Sequence, residues 1–206
     1  MVDINLSETQ PNRKIVDFYW EETWSRFKNG DIQAFEMIYN QHVDLLVSYG
    51  TKITPDLDLV EDAIQDLFLY LFSKKEKLAD PRSVQYYLLK AFRRILIKRI
   101  KDEGSFTSGE KNNFSFQYTL EFDDETPQQA REKKLELIES LIEQMDSKKK
   151  EVLFLKFYSG LSYEEIGRLV GIHPDSAKKQ VYRTITSLRE IVQKKIELFF
   201  FFLSSL

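Results

Sequence analysis

The residues able to do chemistry fall into three groups, and none of them is a catalytic set. The first is a run of carboxylates: between residues 53 and 73 stand Asp56, Asp58, Glu61, Asp62 and Asp66, with no Lys or Arg. The second is its opposite. Arg82, Lys90, Arg93, Arg94, Lys98, Arg99 and Lys101 occupy residues 82–101 without one acidic neighbour. The third is a compact polar set near the C-terminal end: Ser176, Lys178, Lys179, Gln180 and Arg183. Charge segregated this sharply predicts two faces for two partners rather than uniform solvation. A row of cations beside an aromatic suits a polyanion with exposed bases, through phosphate neutralisation and stacking. Cys is absent and only His42 and His173 are present. That excludes a thiol nucleophile, a disulfide framework and a cysteine- or multi-histidine metal site. No nucleotide-binding loop, nucleophile triad or paired-carboxylate site is visible, so the chain is expected to be no enzyme, with no cofactor and no metal.

The elements that must position these groups are helices. The 206 residues suffice for one large or two small domains, and 42% hydrophobic content with 16 Phe and 10 Tyr can build real cores. Seven Gly and five Pro leave little material for hairpins. Residues 1–17 are expected to be disordered, and an aromatic segment follows (Phe18, Tyr19, Trp20, Trp24, Phe27). Asn29-Gly30-Asp31 then makes a turn, with Asp31 as N-cap. Ala34, Phe35, Ile38, Tyr39, His42, Leu45, Leu46 and Tyr49 recur at three- and four-residue steps, the mark of an amphipathic helix. Pro55-Asp56 opens a second such helix, carrying Leu59, Val60, Ala63, Ile64, Leu67, Phe68 and Leu71. Asp80-Pro81 opens a third, running to about Asp102. On that third helix Tyr87, Lys90, Arg94, Lys98 and Lys101 share one face, and Val84, Leu88, Ala91 and Ile95 the buried one.

Residues 103–130 break the pattern with Gly104-Ser105, Thr107-Ser108-Gly109, Asn112-Asn113 and the acidic run from Glu121 to Glu125. They predict a flexible acidic linker. Helical periodicity resumes over 131–206. The fold class expected is therefore all-α: two small helical domains, 18–102 and 131–206, joined by that linker. Within the second domain, Ser162 and Glu165 have capping-box spacing. Gly167 allows a close helix crossing, Gly171 a tight turn, and Pro174 a first-turn position in the next helix. This is a helix-turn-helix. At about 100° per residue, Ala177, Val181, Leu188 and Val192 turn to the core, while Ser176, Lys179, Gln180 and Arg183 gather opposite, with Lys178 on the flank. Such a face can hydrogen-bond base edges and phosphates in a major groove.

These pieces together resemble a sigma factor of bacterial RNA polymerase, of the sigma-70 family and the small extracytoplasmic-function type. Gly30 to Tyr39 (GDIQAFEMIY) is similar to the opening of the family's first conserved region, and Glu61 to Leu71 (EDAIQDLFLYL) to its core-binding helix. Tyr87-Leu88 with Ala91 and Arg93 is similar to the promoter-melting helix, and Ser159 to Ile166 with the following turn to the C-terminal helix-turn-helix. The resemblance implies that Glu61, Asp62, Gln65, Asp66, Phe68 and Leu69 dock on the clamp helices of the polymerase's largest subunit. It implies that Tyr87, Lys90, Arg93, Arg94, Lys98 and Lys101 open and hold the minus-ten promoter element. Ser176, Lys178, Lys179, Gln180 and Arg183 would read the minus-thirty-five element. Arg94 stands where the family commonly has Asn, and Gln180 where Arg is frequent, which bears on the promoter sequence chosen. The partners implied are core RNA polymerase (clamp helices and flap), promoter DNA and an anti-sigma factor.

No targeting signal is visible in the polar N-terminal stretch, and the apolar run Leu198 to Leu203 (LFFFFL) is far below the roughly 20 residues that span a bilayer. Cytoplasmic location without stable membrane insertion is the expectation. Two other functions fit parts of the chain. A stand-alone helix-turn-helix regulator explains residues 163–183 but leaves the acidic helix and the second basic stripe unused; it would bind palindromic DNA as a dimer without polymerase. An adaptor using residues 87–101 on RNA would prefer RNA to promoter DNA.

Overall fold

The computed structural model describes residues 13–102, 116, 140 and 142–203. Among them are seven α-helices and no strand: α1 (Arg13–Lys28), α2 (Ile32–Ile53), α3 (Leu57–Lys74), α4 (Val84–Asp102), α5 (Ser147–Phe157), α6 (Tyr163–Val170) and α7 (Pro174–Leu203). A single 3-10 turn, Lys75–Lys77, follows α3. The chain divides into two compact units, the first built on α1–α4 and the second on α5–α7.

In the first unit the starts of α2, α3 and α4 each have a chemical cause. Asp31 Oδ1 accepts the Ala34 N–H at 3.1 Å. That bond and the Arg26 fork on Oδ2 hold its carboxyl below the usual range. Asp56 Oδ1 accepts the Leu59 N–H at 3.1 Å and caps α3. The third helix starts later than the Asp80-Pro81 signal predicts. Ser83 Oγ accepts the Tyr86 N–H at 3.2 Å, and this hydroxyl, not the proline, opens α4 at Val84. The aromatic segment is helix α1, which begins at Arg13, so residues 13–17 are helical rather than part of a disordered leader. Trp24 and Phe27 are buried, and the Trp24 indole donates to the Ala79 carbonyl at 3.3 Å.

All seven apolar positions expected on α3 are buried. On α4 the buried stripe is rotated from the expected one. Val84 and Leu88 are buried as predicted, but Leu89, Phe92, Leu96, Ile97 and Ile100 complete the stripe while Ala91 and Ile95 are only half-buried. The reason is crowding from α2 and α3: Gly50 on α2 has no side chain because a Cβ there would sit 2.7 Å from Val60 and 2.9 Å from the Phe92 ring. Phe92 fills that contact, which turns α4 towards it.

In the second unit Asp146 caps α5 through the Lys149 N–H at 3.0 Å. Val152, Leu153, Phe154 and Leu155 are buried beneath α6 and α7. The expected linker 103–130 lies outside the described residues except Phe116, which is fully buried with its ring 5.7 Å from that of Phe154. No described helix is long and apolar enough to cross a membrane.

Candidate polymerase-docking and nucleic-acid-binding surfaces

On α3, the side opposite the buried stripe carries Glu61, Asp62, Gln65, Asp66 and Leu69, all exposed. Leu69 is 67% exposed, unusual for a leucine on a helix whose core side is otherwise complete. Beside it runs a shallow groove of about 450 Å³ lined by Phe35, Tyr39, Gln65, Phe68, Leu69 and Phe72. Phe68, one of the residues assigned to docking, is buried at its floor, and its ring meets those of Phe35 at 5.9 Å and Tyr39 at 4.8 Å. Phe35, Tyr39 and Phe72 were not among the docking residues expected from sequence. Phe72 carries a signal that could have found it: with Leu69 it is an aliphatic or aromatic residue off the buried period of α3. Tyr39 follows the apolar period of α2 yet is 39% exposed. The face is therefore half charged and half apolar.

The carboxylates are not all solvated. Arg99, from the last turn of α4, reaches across to α3. Its Nε and Nη2 donate to Asp66 Oδ2 at 2.9 and 2.6 Å, and its Nη1 to Asp62 Oδ2 at 3.2 Å.

On α4 the six residues expected to face nucleic acid take up different surroundings. Lys90, Arg94, Lys98 and Lys101 are exposed on one stripe. The Lys90 ammonium lies 5.8 Å from the centre of the Tyr86 ring. Tyr87 is half-buried, its ring edge-on to Trp24 at 5.2 Å, and burial raises its phenol pKa. Arg93 turns inward: its Nε donates to the buried Tyr49 hydroxyl at 3.1 Å. The structure does not bring it together with the exposed cations, because a phenol inside the core requires a partner and Arg93 supplies one.

The second unit positions its polar face through backbone geometry. Ser162 and Glu165 make both bonds of a capping box: Glu165 N–H to Ser162 Oγ at 3.3 Å, and Ser162 N–H to Glu165 Oε2 at 2.7 Å. Gly171 ends α6 in the left-handed region at φ 71°, and the Ile172 N–H donates to the Gly167 carbonyl at 2.9 Å. At Gly167 a Cβ would lie 2.7 Å from the Ile172 oxygen and 3.2 Å from the Pro174 nitrogen, so the turn closes directly over it. Pro174 is the first residue of α7. Ala177 and Val181 are fully buried, Thr184 joins them, and Leu188 is half-buried; the Val192 side chain lies outside those described. Ser176, Lys178, Lys179 and Arg183 are exposed and Gln180 is half-exposed on the other side. Lys178 leans over the Tyr182 ring at 5.9 Å, which separates it from its neighbours as expected for a flank position.

Residues 135–188 match the family model described as Sigma-70, region 4. That segment resembles region 4 of the sigma-70 family. Similarity to sigma factors extends beyond that segment. The RNA polymerase sigma-E factor of Streptomyces avermitilis is 22% identical over 167 residues, covering 81% of this chain and 89% of the relative. The RNA polymerase sigma factor CarQ of Myxococcus xanthus is 25% identical over 170 residues, 81% of this chain and 94% of its own length. The ferric citrate uptake sigma factor FecI of Escherichia coli is 25% identical over 157 residues, with 74% and 87% covered. Among solved structures, CnrH in complex with the cytosolic domain of CnrY has a TM-score of 0.53 at 16% identity, covering 84% of this chain and 97% of that chain. The sigma factor RpoE of Bartonella quintana, bound to the anti-sigma factor NepR, also has a TM-score of 0.53 at 16% identity, with 77% and 96% covered. These two share the fold.

Proposed function

We propose that this protein is a sigma factor of the extracytoplasmic-function type that docks on core RNA polymerase through α3, helps open the minus-ten element with α4, and reads the minus-thirty-five element with α7. Residues 18–102 would then act as the polymerase-docking and melting domain, 103–130 as the linker and 131–206 as the upstream-element reader. The observation that carries the reading is the helix-turn-helix of the segment matching region 4. Its closed turn over Gly167 holds Ser176, Lys179, Gln180 and Arg183 on one accessible face. A stand-alone regulator would leave the exposed Leu69 and its groove without a purpose.

The chain performs no bond chemistry in this scheme. Glu61, Asp62, Gln65 and Asp66 offer acceptors to cationic and polar groups on the clamp helices, and Phe68 and Leu69 offer apolar area. Lys90, Arg94, Lys98 and Lys101 neutralise phosphates of the strand being opened, with Tyr87 beside them and Arg93 bracing the helix from inside. Phosphate contacts give register and much of the affinity, and base contacts give specificity. The polymerase, its flap included, and promoter DNA are the partners; the site of action is the cytoplasm. An anti-sigma factor, such as Bartonella quintana RpoE has in NepR, is a further partner. The test is reconstitution with core RNA polymerase and selection from a randomised upstream element. Arg183→Ala and Gln180→Ala should change base preference at one or two positions, by the roughly 1–3 kcal/mol that a bidentate base contact discriminates. Lys178→Ala should weaken all promoters about equally. If both Arg183 and Gln180 variants keep wild-type preferences, α7 is not the sequence reader.

A further inference from the structure

The contact between α4 and α3 through Arg99 has a geometry that bears on docking. The three hydrogen bonds that Arg99 sends to α3 end on one oxygen of each carboxylate, Oδ2 of Asp66 and Oδ2 of Asp62. Both aspartates remain about half exposed, at 48% and 56% of their side chains, and Arg99 is 29% exposed. The guanidinium fork therefore fixes the rotation of two otherwise mobile side chains and leaves each Oδ1 without a bond from Arg99. Asp62 and Asp66 lie one helical turn apart on the face that also carries Gln65 and Leu69. Beside the pair, Asp66, Ile95, Lys98, Arg99 and Asp102 line a cleft of about 400 Å³.

We infer that Arg99 is a positioning residue for polymerase docking: it presets Asp62 and Asp66 so that their remaining oxygens form one ready-made acceptor pair for cationic side chains of the partner. The inference rests on the proposal that α3 is the docking helix. Its logic is preorganisation. An exposed aspartate that rotates freely must be ordered when the partner binds, and that cost is subtracted from affinity. A planar fork orders two carboxylates at once, which a lysine, as a point charge, cannot do. Two effects of removing Arg99 oppose each other. Losing its positive charge makes the face more negative and favours a cationic partner by simple attraction. Losing the fork disorders the acceptors. The inference is that disorder wins, so the sign of the change is itself diagnostic.

The experiment measures affinity of the full chain for core RNA polymerase, over a range of salt, for Arg99→Ala, Arg99→Lys, Asp62→Asn with Asp66→Asn, and the combination of that pair with Arg99→Ala. Arg99→Ala should bind about three- to fivefold more weakly, the scale of an exposed ion-pair network, with a steeper salt dependence because the face carries more net negative charge. Arg99→Lys, which keeps the charge and so tolerates any folding requirement for it, should be weakened similarly. In the Asp62→Asn, Asp66→Asn background Arg99→Ala should have no further effect. Tighter binding by Arg99→Ala would show that the arginine competes with the partner and would overturn the inference. So would an equal loss in both backgrounds, which marks a purely structural role. If the Asp62, Asp66 double variant is impaired while both Arg99 variants bind normally, positioning fails and docking by α3 stands. If the double variant binds like wild type, the α3 docking reading itself fails.

Discussion

The two candidate binding regions of this protein spend their charges differently. Along α7, Ser176, Lys179 and Arg183 project from a helix whose orientation is set by others: the Gly167–Ile172 crossing, the αL turn at Gly171 and the buried Ala177 and Val181. None of those three polar side chains makes a hydrogen bond or ion pair within the described residues. Along α3 and α4 several charged side chains also hold the fold. Arg93 serves the Tyr49 hydroxyl and Arg99 the two aspartates. A basic residue on a predicted binding helix is thus not automatically a ligand contact. In a unit where helices meet at aromatic and polar core positions, part of the charge set becomes internal wiring. In a unit closed by glycine and backbone hydrogen bonds, Ser176, Lys179 and Arg183 stay exposed.

The contrast can be broken most forcefully at Gly167. A side chain there meets backbone atoms of the turn, which cannot swing aside as a flexible side chain would. Gly167→Val should destabilise the second unit by about 3 kcal/mol, the upper range for overpacking, and abolish upstream-element binding. Core-polymerase binding through the first unit should persist. Denaturant titration with a separate core-binding assay checks this, and loss of both activities together would mean that the units do not divide the work.

The next effect separates Arg93 from its exposed neighbours. Arg93→Ala removes one hydrogen bond to the buried Tyr49 phenol and should cost about 0.5–1.5 kcal/mol of stability. Lys98→Ala, on the surface, should stay within about 0.5 kcal/mol of wild type while slowing promoter opening, with a shallower salt dependence than wild type because one counterion-releasing phosphate contact is gone. Thermal melts and permanganate reactivity of the start region distinguish the two. A Lys98 variant as unstable as the Arg93 variant would erase the difference.

The pH dependence of stability sharpens the picture of the first unit as an internally wired core. His42 on α2 is buried, its ring 5.3 Å from Trp20 and its Nε2 without a hydrogen-bond partner, and burial lowers its pKa from 6.5 to about 4. The folded state keeps this imidazole neutral while the unfolded chain protonates it below pH 6.5. Stability of the first unit should therefore be fully retained above pH 6.5 and fall between pH 6.5 and 4, by no more than about 1.4 kcal/mol per pH unit from this group. His42→Leu should flatten that part of the profile. An unchanged profile in denaturant melts would assign the acid sensitivity to other groups.

Much of this molecule was legible one residue at a time. The buried stripe of α3, the Asp31 and Asp56 caps, the Ser162–Glu165 capping box, the left-handed Gly171 and the placing of Pro174 all follow from local rules. Each depends on contacts within four residues, so sequence spacing alone specifies it. The same holds for the polar face of α7, since one helical period divides it from Ala177 and Val181. What the sequence left open were contacts between residues far apart in the chain. Arg99 sits in the same basic run as Lys98, yet it alone faces Asp62 and Asp66, 37 and 33 positions away. Arg93 is 44 positions from Tyr49. The groove of Phe35, Tyr39, Leu69 and Phe72 exists only because α2 and α3 lie side by side. Helix periodicity says which residues share a face. How far each helix is rotated about its own axis is settled only by the side chains of its neighbours, as Phe92 against Gly50 does for α4. That rotation determines which cations meet a partner and which are used to hold the protein together.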